Sequence, residues 1–138
     1  MTADLPSDAD ELVENFALFD DWEDRYGYLV DLGEKLPALP EAEKTEANKV
    51  QGCMSQVWFV RRPSPDGTLR WEGDSDATIV KGLIAVLQVL YGGKTPEEAR
   101  RVDVDAVFER LGLERHLSMN RRNGFFSMVS KLREWASA

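Results

Sequence analysis

The reactive groups on offer are few: one thiol, one imidazole and a pair of adjacent arginines. Cys53 stands in "NKVQGCMSQVWFV", directly after Gly52 and just before a run of strand-forming residues. A lone cysteine cannot close an internal disulfide, and one cysteine with one histidine, His116, gives no recognisable metal-ligand spacing, so no metal is expected. A cysteine hydrolase would need His116 as its base, whereas "ERHLSMN" reads as the setting of an ordinary, partly buried histidine. "YGGKTPEE" lacks the spacing of a phosphate-binding loop and sits at a helix end, so no nucleotide is expected either. Free cysteines are often buried. Here Gly52 frees the backbone, Gln51 and Ser55 are polar, and the position before a strand is a loop position. A single thiol without base, metal or second cysteine suits a residue that receives a group from another protein and hands it on, a carrier without independent turnover.

The elements that must position this thiol are legible in outline. Ser7 with Asp8, Asp10 and Glu11 predicts a capped first helix with Leu12, Val13, Phe16 and Phe19 on its apolar stripe. Trp22, Tyr26, Leu29 and Val30 predict a second helix, stopped by Gly33, Pro37 and Pro40. Val57 to Val60, the turn at Pro65, Asp66 and Gly67, and the alternation of Leu69 and Trp71 with Arg70 and Glu72 predict a β-hairpin, with Val50 adding a short third strand. Ser75 is the expected cap of a helix that is apolar almost all round from Ile79 to Leu90, with Gly82 marking a close approach by another element. Thr95, Pro96 and Glu98 spell a capping box, and short helices follow as far as Gly112. Phe125, Phe126, Met128, Val129, Leu132 and Trp135 predict a last helix opening near "SMNRRNG". Arg121 and Arg122 lie at its start, where the helix dipole is unfavourable to cations. That leaves two readings, a solvated frayed end or a site built to meet an anion. The expected architecture is α+β, a small antiparallel sheet of two to three strands packed by about five or six helices, in one domain over residues 1–138.

Composition narrows the partners. Hydrophobic residues at 43% and charged residues at 30% are the balance of a folded globular chain rather than a disordered one. Residues 1–46 hold 14 acidic groups against Arg25, Lys35 and Lys44, a net of -11 within a total of -8. Such a chain is repelled by phosphate backbones, so nucleic acid is not an expected partner. The acidic block is either a solvated helical surface or a face toward a basic protein. The longest apolar run, Leu83 to Tyr91, is too short for a membrane span, and no basic, apolar leader opens the sequence, so a reducing cytoplasm is the expected location.

The stretch "VQGCMSQVW" resembles the cysteine motif of the SufE family of sulfur acceptor proteins. The resemblance extends in order to "WEDRYGYLVDLGEKLPALP", "GDSDATIVKGLIAVL" and "HLSMNRRNGF", nearly the whole chain. It implies a fold similar to iron-sulfur scaffold proteins. It also implies that Cys53 accepts persulfide sulfur from a cysteine desulfurase of the SufS type, which holds the pyridoxal phosphate, stimulates that enzyme and delivers the sulfur to an iron-sulfur assembly scaffold. No cofactor is implied in this chain. Gln51, Gly52, Met54, Ser55 and Gln56 are the implied binding residues around the thiol. Arg121 falls on the arginine of the family's C-terminal motif, here "RRNG", and is expected, together with the helix start, to face Cys53, lowering its pKa or holding the anionic persulfide. Val57, Trp58 and Phe59 are expected to shelter the persulfide. The sequence departs from the family at Met54, where glutamine is common, and at Met119, where proline is common. Two alternatives stay open: a carrier for a sister desulfurase feeding tRNA or cofactor thiolation, and an interaction module with an inert core cysteine.

Overall fold

The structure, a computed structural model, describes residues 5–53 and 55–137. Asp8 begins α1 (Ala9–Ala17) by accepting a hydrogen bond from the Glu11 amide at 2.9 Å, so the cap lies one residue beyond the expected Ser7. Asp21 caps α2 (Trp22–Glu34) in the same way, through the Asp24 amide. Leu12, Phe16, Leu29 and Leu32 turn the apolar stripes of both helices inward. Gly33 does not stop α2 as expected but is buried within it. A methyl group there would lie 2.7 Å from the Gly82 amide nitrogen, and one at Gly82 would strike the Leu29 backbone. The two main chains therefore touch where α2 crosses α3 (Thr78–Tyr91), and only glycine fits.

Strands β1 (Val57–Arg61) and β2 (Trp71–Ser75) pair antiparallel, with Val57 opposite Ser75 and Arg61 opposite Trp71. The third strand expected at Val50 shrinks to one bridge between Lys49 and Trp58, with the Val50 amide donating to the Val57 carbonyl at 2.8 Å. Ser75 is likewise not a helix cap. It ends the ladder, its hydroxyl donates to the Gln56 carbonyl at 2.7 Å, and α3 starts at Thr78 without a side-chain cap. Beside it Asp74 is a carboxylate that hydrophobic patterning does not reveal. Only 2% exposed, it accepts from the amides of Leu39 at 3.1 Å and Ser75 at 2.8 Å and pairs with Lys44 and Lys81. Burial pushes its pKa up, but the two amides and the Lys81 ammonium outweigh burial and hold it below the ordinary carboxylate value.

The capping box forms as the sequence indicates, Thr95 and Glu98 each accepting from the other's amide, and opens α4 (Pro96–Arg100). It is followed by α5 (Val104–Arg110), α6 (Leu113–His116) and α7 (Met119–Ser137). The described residues thus hold seven helices rather than five or six, because Gly112 at φ +74° separates α5 from a short α6. Helix α3, buried along Leu83–Leu87, runs through the middle, with α2, the hairpin and α7 packed around it. The architecture is α+β, a two-stranded antiparallel sheet covered by helices. No helix among the described residues is long and apolar enough to cross a membrane.

Candidate functional site

Gln51, Gly52, Cys53 and Ser55 lie between two anchors. On one side the Val50 amide is tied to Val57. On the other, Gln56 donates from its backbone and side-chain amides to the two oxygens of Asp76, at 3.1 and 3.3 Å, while its carbonyl accepts from Ser75. Gly52 takes a left-handed conformation at φ +91°, and a methyl group there would lie 2.5 Å from the Ser127 hydroxyl oxygen on α7. This turn lays Cys53 against the first turns of α7.

Cys53 is half-buried. Its thiol donates to the carbonyl of Gly124, itself buried, with Sγ and O 3.6 Å apart. The thiol opens onto a pocket of about 210 Å³ walled by Val57, Val80, Leu83, Phe125 and Met128, with Ser118, Asn120 and Arg121 from the start of α7 at its polar edge. Arg121 and Cys53 therefore line one cavity, as the motif implied. Burial pushes the Cys53 thiol above its ordinary pKa, the opposite direction to the lowering expected of a neighbouring cation. Desolvation of the ionised sulfur is the cause, and the Gly124 carbonyl accepts only from the protonated thiol.

The remaining expected residues fall unequally. Ser55 lines the pocket, Gln51 is exposed beside it, and Gln56 is an anchor through Asp76. Met54 lies outside the described residues. Of the three expected shelter residues only Val57 lines the cavity. Trp58 lies beneath the Lys44 ammonium, 5.6 Å from its ring centre, and Phe59 packs on Trp71 and Trp135. Sequence reasoning missed Val80, Leu83, Ser118, Asn120 and Met128 as pocket walls, since nothing in their local pattern separates them from ordinary core or helix-start positions. Arg122 donates to the Glu114 carbonyl at 2.7 Å and holds α6 against α7, which places it outside the pocket. His116 stacks on Trp22 with ring centres 3.8 Å apart, while its carbonyl accepts from the Tyr26 hydroxyl, a structural position rather than that of a base. Among the described residues no cluster of three or more histidine, cysteine or acidic groups is placed to hold a metal.

Fold and site together define a class: a small α+β protein that presents one half-sheltered thiol on a loop, with an arginine lining the same pocket and the histidine stacked elsewhere on Trp22. The chain belongs to the SufE family, whose model, described as an Fe-S metabolism associated domain, matches residues 10–136. An uncharacterized SufE-like protein of Rhizobium meliloti is 44% identical over 130 residues, covering 92% of this chain and 93% of that one. A second, from Rhizobium etli, is 45% identical over 130 residues, covering 92% and 88%. The solution structure of a hypothetical protein from Thermus thermophilus superposes with a TM-score of 0.75 over 97% of this chain and 96% of that one, at 20% identity, and so shares the fold. Family membership gives the chain a part in iron-sulfur metabolism.

Proposed function

We propose that the chain works as a single sulfur-acceptor domain in the cytoplasm. Cys53 takes persulfide sulfur from a pyridoxal phosphate-dependent cysteine desulfurase of the SufS type, stimulates that enzyme, and delivers the sulfur to an iron-sulfur assembly scaffold. The observation that carries this reading is the single thiol, half-buried at the mouth of an apolar pocket that Arg121 also lines. An inert core cysteine would have neither the opening nor the charged edge.

In the transfer the Cys53 thiolate attacks the terminal sulfur of the donor's persulfide. A sulfur-sulfur bond forms on Cys53, the donor's own sulfur-sulfur bond breaks, and the donor cysteine leaves as a thiolate. No external oxidant or reductant enters. Stimulation follows because emptying the donor's cysteine frees it for its next turnover. The protonated, desolvated thiol of the free protein is a poor nucleophile, so the loop swings outward on docking and ionises there. On return, the pocket walls keep small thiols from the new persulfide, and its negative charge faces Arg121.

Incubation with a desulfurase and free cysteine, followed by intact-mass spectrometry, tests this. Wild type gains about 32 Da, one sulfur atom, on Cys53, and Cys53→Ser gains none. A Cys53→Ser variant that stimulates the desulfurase as fully as wild type refutes transfer and leaves only an allosteric role.

A further inference from the structure

Beyond the thiol pocket the surface carries a second concavity, an apolar groove of about 470 Å³. Tyr26 and Val30 of α2, Ile79 of α3, His116 of α6 and Leu117 before α7 form its walls, and it shares Ser118 and Arg121 with the Cys53 pocket. Met119, 70% exposed, stands in the chain between Ser118 of the groove and Asn120 of the pocket. A flexible thioether that exposed, beside an apolar groove, is a feature of surfaces that meet another protein.

We propose that this groove seats an apolar side chain of the sulfur-donating desulfurase, from the surface flanking its persulfide, with Met119 packing on the same partner. The proposal rests on the sulfur-acceptor reading and adds the place where the donor is gripped. The occupant follows from geometry. A donor sulfur can bond to Cys53 only if the donor's surface covers the mouth of the pocket, and a specific interface buries about 800 Å² on each partner, a disc of roughly 16 Å radius. A groove that shares two residues with the pocket lies inside that footprint. A desolvated apolar recess near the centre of an interface is where the strongest contacts concentrate. Arg121, at the border of both concavities, then sits where the donor's chain must turn from grip to chemistry.

The test uses the full chain with Val30→Gln and Met119→Gln, which remove apolar surface without adding charge, and Leu18→Gln as a control at a position 78% exposed at the end of α1. Binding to the desulfurase is titrated, the mass gain on Cys53 is recorded at saturating desulfurase, and the alkylation rate of Cys53 by iodoacetamide is measured without it. The expected result is a Kd raised about tenfold by Val30→Gln and several-fold by Met119→Gln, with alkylation and the mass gain at saturation unchanged and Leu18→Gln like wild type. Should Val30→Gln lose its helical signal, Met119→Gln decides, because its exposed side chain is not needed for folding. If wild type gains sulfur while both variants bind within about twofold of it, the groove is not the grip. If the variants change the sedimentation of the free chain and leave the Kd alone, the groove joins two copies of this chain, and the proposal falls. Absence of any mass gain in wild type refutes the acceptor reading instead, and the Kd series still judges the groove.

Discussion

Replacing Gly52 with alanine sets two costs against each other at the thiol loop. In the docked loop the new side chain adopts φ near +91°, a conformation that costs an L-residue about 1 to 2 kcal/mol. Its methyl also lies 2.5 Å from the Ser127 oxygen and 3.3 Å from the Ser127 Cβ. Ser127 can turn away only by breaking its 3.0 Å hydrogen bond to the Asn123 carbonyl, worth about 1 kcal/mol. Keeping the loop docked therefore costs roughly 2 to 3 kcal/mol. Releasing it gives up the half-burial of one small side chain, about 1 kcal/mol, and one sulfur-oxygen contact. Release is the cheaper response by about 1 to 2 kcal/mol, so in the variant the open loop outnumbers the docked one about five- to thirtyfold, whereas the roughly 1 kcal/mol that docks the wild-type loop leaves it open about one time in six. The expected outcome is iodoacetamide alkylation of native Cys53 faster by about sixfold, with denaturation showing a loss of only about 1 kcal/mol. In Gly52→Ala/Ser127→Ala the hydroxyl contact is gone while the backbone strain stays, so alkylation falls part of the way back. Alkylation within about twofold of wild type, together with a stability loss above about 3 kcal/mol, would refute the reasoning by showing the loop to be part of the core.

Asp74→Ala leaves two buried amides without an acceptor and is expected to cost about 3 to 5 kcal/mol near neutral pH in urea titrations. Because the native carboxylate pKa is depressed, that difference is full above the unfolded value of about 3.9 and shrinks as pH falls through the native one; a difference that stays constant into acid sinks the assignment. The Cys53 thiol, raised by burial, should alkylate in the native chain with a pH midpoint above that of the urea-unfolded chain, and a midpoint at or below it contradicts the shelter. Arg121→Ala should slow sulfur acceptance at saturating desulfurase with folding intact, whereas Arg122→Ala should lower stability by about 1 kcal/mol and leave acceptance alone; equal acceptance rates for wild type and Arg121→Ala remove Arg121 from the site.

The elements that were legible were those announced locally. The acidic turn after Ser7 and the capping box at Thr95 each carry their own signal within a few residues, and both helices formed there, the first with its cap moved one residue to Asp8; the alternation around Leu69 and Trp71 became a strand only from Trp71 onward, Leu69 keeping a single bridge to Lys94. Gly33 misled because a glycine after an apolar stripe reads as a stop until its partner, Gly82, is known to lie against it. Ser75 misled for a related reason, since its hydroxyl donates to the Gln56 carbonyl nineteen residues back and accepts from the Ala77 amide, just short of the first turn of α3. The candidate site was half legible. Cys53 and Arg121 stand out by residue type and motif, but the walls come from residues near 57, 80 and 120, which only the tertiary fold brings together. The sign of the thiol shift was not legible, because desolvation depends on what covers the sulfur, and the sequence shows only what charges are nearby.

The paired anchors of the loop also set a length. Val50 is fastened to Val57, and Gln56 to Asp76, so Cys53 sits three residues from a fixed point on either side. Three fully extended residues span about 10 Å. The sulfur is thus a weight on a short, doubly moored tether, whose swing cannot carry the Cys53 Cα more than about 10 Å from either mooring, the side chain adding roughly 3 Å. A donor whose persulfide lay at the bottom of a deeper shaft would be out of reach however tightly it bound, so the depth of the donor's active site is bounded by the number of residues between two hydrogen bonds in this chain.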